Sequence, residues 1–229
     1  MMGGPKKVLL LVGSPKGSGS TSEALGSYLL ERMGERGIAT EVARVPSSLR
    51  TEEQRKGLRH AVGSADLLIL ATPLYADSLP SGVTRLLEIV AAEGDRRLGH
   101  GGKRFAALIN CGFPEARQCD TAIAICRCFA REAGMEWAGG LALGGGESIG
   151  GRPLKEAGGV ARNARKALDL AAEALSEGRR VPGEAVSLMA RPTVPAWMYT
   201  VIGDIGWRLK ARRRGTGTRM RDRPYWHDE

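Results

Sequence analysis

Lys7-Val8-Leu9-Leu10-Leu11-Val12, continuing directly into Gly13-Ser14-Pro15-Lys16-Gly17-Ser18-Gly19-Ser20-Thr21-Ser22, is the stretch on which the fold turns. A short unbroken apolar run that stops at glycine reads as a strand buried on both faces. The small-residue segment after it ends on hydroxyl side chains of the kind that cap a helix. Leu25, Tyr28, Leu29 and Met33 then recur at helical spacing. Strand, loop and amphipathic helix in that order open a β-α-β unit.

Working outward, four more runs have strand character: 39–45, 66–71, 105–110 and 137–143. Between them lie segments of helical period. One covers 51–64, and a second places Val83, Leu86, Leu87 and Val90 on one face. A third covers 114–133, and a last one turns Val160, Ala164, Ala167, Leu168, Ala171 and Leu175 inward. The first, third and fourth strands are almost continuously apolar and belong at the centre of a sheet, whereas the second is more polar and suits an edge. This is an α/β chain with a doubly wound five-stranded parallel sheet. Right-handed crossovers make 2-1-3-4-5 the simplest strand order, with other five-stranded orders left open. Past residue 180 the chain becomes Pro-punctuated, aromatic and basic, so the expected division is a domain over 1–180 and a helical basic extension over 181–229.

A chain of 229 residues can bury one substantial core and is short for two full domains. Its net charge of +9 is uneven: from Arg208 onward eight Lys or Arg stand against three acidic residues, an excess of five, which leaves only four for the body. That distribution argues against a nucleic-acid-binding core and for an ordinary domain with a basic tail. No apolar run has the length of a bilayer crossing, and a cytoplasmic location is expected. The four cysteines fall within one short region, a poor way to staple a domain of this size, so no disulfides are expected.

In open α/β sheets, ligands bind beyond the carboxyl ends of the strands. The loop after the first strand offers glycines for close backbone approach, hydroxyl donors and a helix N-terminus, which together make a phosphate cradle. A Walker A loop would need Gly at 18 and Lys at 19, where the chain has Ser18 and Gly19, and the three-glycine dinucleotide fingerprint is absent. The bland alternative is a capped helix behind a loop that is rich in small residues by chance. After the third strand comes Thr72-Pro73-Leu74-Tyr75-Ala76-Asp77-Ser78-Leu79-Pro80, two prolines stiffening a segment that offers an aromatic ring and backbone amides to a flat heteroaromatic ligand. Asn110-Cys111-Gly112-Phe113-Pro114-Glu115 follows the fourth strand, and Gly144-Gly145-Gly146-Glu147-Ser148 the fifth. All four fall at one sheet edge.

The Gly-Ser-Pro loop with its Ser/Thr-rich helix entry, followed by Pro-Leu-Tyr-Ala-Asp-Ser-Leu-Pro, resembles the NAD(P)H-dependent FMN reductases of the flavodoxin-like superfamily over residues 6–178. The resemblance implies a flavodoxin-like domain with FMN as cofactor and NAD(P)H as co-substrate. It implies that Ser14, Lys16, Ser18, Ser20, Thr21 and Ser22 hold the FMN phosphate. Pro73, Leu74, Tyr75, Ala76, Asp77 and Ser78 would lie along the isoalloxazine ring, and Asn110, Cys111, Gly112 and Phe113 would face its pyrimidine side. A homodimer is also implied. The chain departs from many members at the start of the third helix, where Thr84, followed by Arg85, stands in place of a lysine. The function expected is an oxidoreductase that carries hydride from NAD(P)H to a small acceptor by a ping-pong scheme. The rivals are a non-enzymatic electron carrier or flavin-binding regulator, and a fold that binds another phosphorylated ligand. A mildly basic body disfavours the carrier. No catalytic acid or base is assigned.

The cysteine spacings do not match a compact iron–sulfur motif, and no metal is expected. Cys119 and Cys126 share a helix face with Ala122, Phe129 and Ala133, as buried structural thiols do, while Cys128 points elsewhere. Cys111, beside the ring site, reads as a small apolar filler or a reactive thiol. His60, His100 and His227 show no ligand spacing and read as solvated, and Trp137 as packing. In the tail, Met198, Val201, Ile202, Ile205 and Leu209 form an apolar stripe flanked by Trp197, Tyr199 and Trp207 and followed by Arg212, Arg213 and Arg214. Docking on the body or a second subunit is favoured, with peripheral contact to an anionic membrane as the alternative.

Overall fold

Strand β1 (Lys7–Val12) is the axis of the structure, a computed structural model that describes residues 3–45, 49–93, 102–192, 196–220 and 222. It pairs in parallel with β2 (Ala39–Arg44) on one side and β3 (Leu67–Pro73) on the other; β4 (Arg104–Asn110) and β5 (Glu136–Leu143) continue the sheet in the order 2-1-3-4-5. The polar edge position of β2 explains why its side chains alternate between half-buried and exposed, whereas β1, β3 and β4 are buried almost throughout.

Alternation along the strands divides the core in two. Val8, Leu10, Val12, Leu67, Ile69 and Leu108 pack under α1 (Thr21–Gly34) and α5 (Arg162–Ser176). Leu9, Leu11, Leu68, Leu70, Phe105 and Ile109 pack under α2 (Glu52–Ser64), α3 (Ser81–Glu93) and α4 (Asp120–Glu132). Each such side chain contributes about 1.5–3 kcal/mol by leaving water. On α1, Gly26 lets the helix close on β1, since a Cβ there would sit 2.7 Å from Leu10. Phe105 meets Phe129 edge to face at 5.0 Å and lies 6.1 Å from Trp137, the packing role expected of that tryptophan.

Two expectations about boundaries change. Residues 114–119 do not begin α4: the chain makes a 3-10 turn over Ala116–Cys119, and the helix starts at Asp120. The preceding residues are used otherwise, their carbonyls receiving hydrogen bonds from Cys111 and Gly145. The domain also runs beyond 180. Val181 donates its N–H to Ala138 O at 2.8 Å, and α6 (Gly183–Met189) buries Ala185 and Met189 in the core, so one compact unit extends to Thr193.

The second unit, Val194–Glu229, contains α7 (Ala196–Arg213) and a 3-10 turn, Gly217–Arg219. Val201, Ile205 and Leu209 recur at four-residue spacing on one side of α7 and are exposed, while Trp207 lies on the opposite side with Lys210 Nζ 5.3 Å from its ring centre. Lys210, Arg212 and Arg213 at the C-terminal turn complement the helix dipole. His100, His227 and the side chains of Trp197, Tyr199 and Ile202 lie outside the described residues. Among those described, no helix is long and apolar enough to cross a membrane.

Candidate functional site

At the carboxyl edge of the sheet, the loop after β1 turns through left-handed backbone at Gly17 and Gly19, with φ of 74° and 75°. Open space lies where a Cβ would stand at either glycine. Only glycine takes these angles without strain. The result is a row of backbone amides at the head of α1. Those of Ser14, Ser18, Ser20, Thr21 and Ser22 have no acceptor among the described residues, although Ser14, Ser20 and Ser22 are buried. Unpaired N–H groups at a helix N-terminus are the physical basis of anion binding. A phosphate monoester fits this donor set.

The hydroxyls of the same loop have other work. Ser20 Oγ accepts the Glu23 N–H at 3.1 Å and caps α1, and Ser14 Oγ accepts the Lys16 N–H at 3.3 Å. Ser22 Oγ donates to Asn110 Oδ1 at 2.7 Å, and Thr21 Oγ1 donates to Gly146 O at 2.9 Å. Ser18 and Lys16 remain exposed. Asn110, 8% exposed, is therefore a hub: its backbone oxygen also receives the Leu74 N–H at 2.8 Å, so one residue ties three loops together.

The loop after β3 closes as a two-residue hairpin. Tyr75 and Ser78 exchange both backbone hydrogen bonds, at 2.9 and 3.0 Å, around Ala76 and Asp77, whose φ values are 45° and 58°. Two left-handed central residues make this a type I′ turn, which prefers Asn-Gly and is strained by alanine. The amides of Tyr75 and Ser78 are consumed by the turn, which leaves those of Ala76 and Asp77 without an acceptor among the described residues. Ala76→Asn relieves part of the strain and is expected to raise stability by about 0.5–1 kcal/mol, or about 1–4 °C in Tm, measured calorimetrically without flavin.

Tyr75 is 51% exposed and Phe113 56%, the two aromatic side chains of this unit so exposed among the described residues. Both stand in loops at the carboxyl edge. The Phe113 loop is braced by the one after β5: Gly145 N–H donates to Phe113 O at 2.6 Å and Gly146 N–H to Cys111 O at 2.9 Å. Pro73 and Leu74 are half-buried, Gly112 is exposed, and Thr84 and Arg85 are both exposed on α3.

Cys111 is buried, and its thiol lies 3.5 Å from Phe113 O and 3.7 Å from Glu115 O. A hydrogen bond from Cys119 pulls the Cys111 thiol below its ordinary pKa against the effect of burial; the same bond, helped by burial, pushes Cys119 up. Burial pushes Cys126 up to about 12. Cys128 alone of the four is exposed. A disulfide-exchange reagent should titrate one thiol per folded chain near neutral pH and four after denaturation; two or more fast thiols in the folded protein would contradict this packing.

Three contributors lie outside the residues expected from sequence. Glu23 Oε2 accepts the Gly19 N–H at 2.8 Å, and Arg44 on β2 holds the other oxygen of Glu23. Gly151, with φ of 76°, lies against the phosphate loop so closely that a Cβ would come within 1.8 Å of Gly19 O. Glu23, three residues after a capping serine, carried a readable signal. The other two did not.

A parallel 2-1-3-4-5 sheet with this edge is a flavodoxin-like α/β fold. Solved structures agree at low identity. An FMN-dependent NADH-azoreductase from Bacillus anthracis has a TM-score of 0.54 and 17% identity over 74% of this chain and 99% of that one. An NAD(P)H:quinone oxidoreductase from Methanothermobacter marburgensis has a TM-score of 0.51 and 16% identity over 71% and 94%. A flavodoxin from Streptococcus pneumonia TIGR4 has a TM-score of 0.50 and 17% identity over 74% and 97%. No curated protein sequence matches. Residues 6–122 match the profile of the NADPH-dependent FMN reductases, and the chain belongs to that family. It is an NAD(P)H-dependent FMN oxidoreductase, with FMN as cofactor and NAD(P)H as co-substrate.

Proposed function

We propose that the protein reduces a small acceptor, such as a quinone, a free flavin or a similar electrophile, at the expense of NAD(P)H by a ping-pong scheme. The observation that carries the proposal is the set of amides at Ser18, Ser20, Thr21 and Ser22 that have no acceptor among the described residues, together with exposed Tyr75 and Phe113 at the same sheet edge. In this reading those amides, with Ser14 and Lys16, hold the phosphate. Pro73, Leu74, Tyr75, Ala76, Asp77 and Ser78 border the ring, and Asn110, Cys111, Gly112 and Phe113 border its pyrimidine side. FMN, when bound, supplies the two-electron redox chemistry. The amides of Ala76 and Asp77 then stand as donors to charge that develops on the ring edge, held in place by the strained turn.

The fold has no second nucleotide-binding unit among the described residues, which supports successive use of one exposed face by nicotinamide and acceptor. The partners are small molecules, since the modest charge of the body offers nucleic acid little. A cytoplasmic homodimer completes the proposal. Initial velocities with NADPH and a soluble quinone, each varied against the other, test the scheme. Parallel double-reciprocal lines are expected, and intersecting lines would contradict it.

A further inference from the structure

We infer that Glu23 and Arg44 form a charge-balanced splint that sets how strongly the loop after β1 holds a phosphate dianion, Glu23 shaping the loop and Arg44 cancelling its charge. The inference rests on the proposed phosphate role of that loop. In an ordinary capping box, the glutamate at the third helical position accepts the N–H of the capping residue itself. Here the first half of the box is present, with Ser20 Oγ accepting the Glu23 N–H. The second half is displaced by one residue, because Glu23 Oε2 takes the Gly19 N–H at 2.8 Å and leaves that of Ser20 without an acceptor among the described residues. Glu23 thus fixes left-handed Gly19 without using a donor that an anion needs.

The arrangement has an electrostatic consequence. A carboxylate on the first turn of α1 repels a phosphate bound at the same helix end, and the Glu23 side chain, 14% exposed, is poorly screened by water. Arg44 offsets that repulsion. It reaches from β2 and donates from Nε at 3.0 Å and from Nη2 to the one Glu23 oxygen that Gly19 does not use. Neither residue need touch the ligand, and both are positioning residues.

The test is a thermodynamic cycle read as flavin affinity by fluorescence quenching, with riboflavin as the phosphate-free control. Arg44→Ala exposes the carboxylate and should weaken FMN binding about 5- to 20-fold while leaving riboflavin within about twofold, a penalty that shrinks with added salt. Glu23→Gln keeps an oxygen acceptor for Gly19 and should tighten FMN about threefold. The double variant should bind FMN at least as well as the wild type. Equal loss of FMN and riboflavin in Arg44→Ala, or a double variant as weak as Arg44→Ala, would overturn the inference, the second result meaning that Arg44 acts on the phosphate itself. Wild-type protein that binds riboflavin as tightly as FMN would instead sink the phosphate role of the loop, whatever the variants do.

Discussion

Gly151→Ala is expected to lower FMN affinity by about 100-fold in a protein that still folds, a loss on the order of one or two charge-assisted hydrogen bonds. The new methyl would lie 1.8 Å from Gly19 O, 2.5 Å from Gly19 C and 3.2 Å from Ser20 N. All three are backbone atoms, so no rotamer change relieves the conflict. The phosphate loop or the segment after β5 must move, and a shift of about 1 Å takes an N–H···O contact out of hydrogen-bonding range. Alanine at a φ of 76° adds about 1–2 kcal/mol of local strain. Gly158→Ala is the matched control, since it shares the left-handed backbone, with φ of 63°, while its Cβ would meet nothing within 4 Å. Titration of both variants with FMN and a melting curve for each separates a damaged cradle from a damaged fold. Affinity unchanged in Gly151→Ala would mean that the loop after β1 does not bind the cofactor.

Ser20→Asp is expected to have a comparable effect by a different route. Aspartate caps a helix as well as serine does, so the bond now made by Ser20 Oγ to the Glu23 N–H survives and α1 keeps its start. What changes is charge. Ser20 is 4% exposed, and a carboxylate there confronts a phosphate dianion among donors that can satisfy only one of them. FMN affinity should fall about 100-fold or more, with riboflavin much less affected. Ser20→Asn, neutral and of the same shape, should retain FMN within a few-fold. A similar loss in the Asn and Asp variants would assign the effect to shape and remove the electrostatic account.

The parts of this molecule that were legible in the sequence are those governed by local pattern. β1, β3 and β4 announce themselves because a strand covered on both faces has no polar alternation to hide it, and the onset of α1 at Thr21 follows from the capping chemistry of Ser20. The loops of the sheet edge were visible for the same reason, being runs of small and turn-forming residues between periodic segments. What could not be read is how those loops brace one another. Thr21 meets Gly146 across 125 positions and Ser22 meets Asn110 across 88, so the hydroxyls that look like phosphate donors in the sequence also hold the loops in register. Gly151 looks like any other turn glycine until Gly19 is placed against it. The start of α4 at Asp120 was hidden likewise, because the use of residues 111–119 to wrap the Cys111 thiol depends on where β5 delivers Gly145 and Gly146. Helix α6 belongs to the core although it follows a Pro-punctuated segment, a placement that no local pattern announces.

The most direct measurement is a crystal structure of the protein with FMN bound. The account predicts phosphate oxygens within about 3 Å of the amide nitrogens of Ser18, Ser20 and Thr21, and the ring edge against the turn at Ala76 and Asp77. A phosphate held elsewhere, with those amides left to solvent, would contradict it.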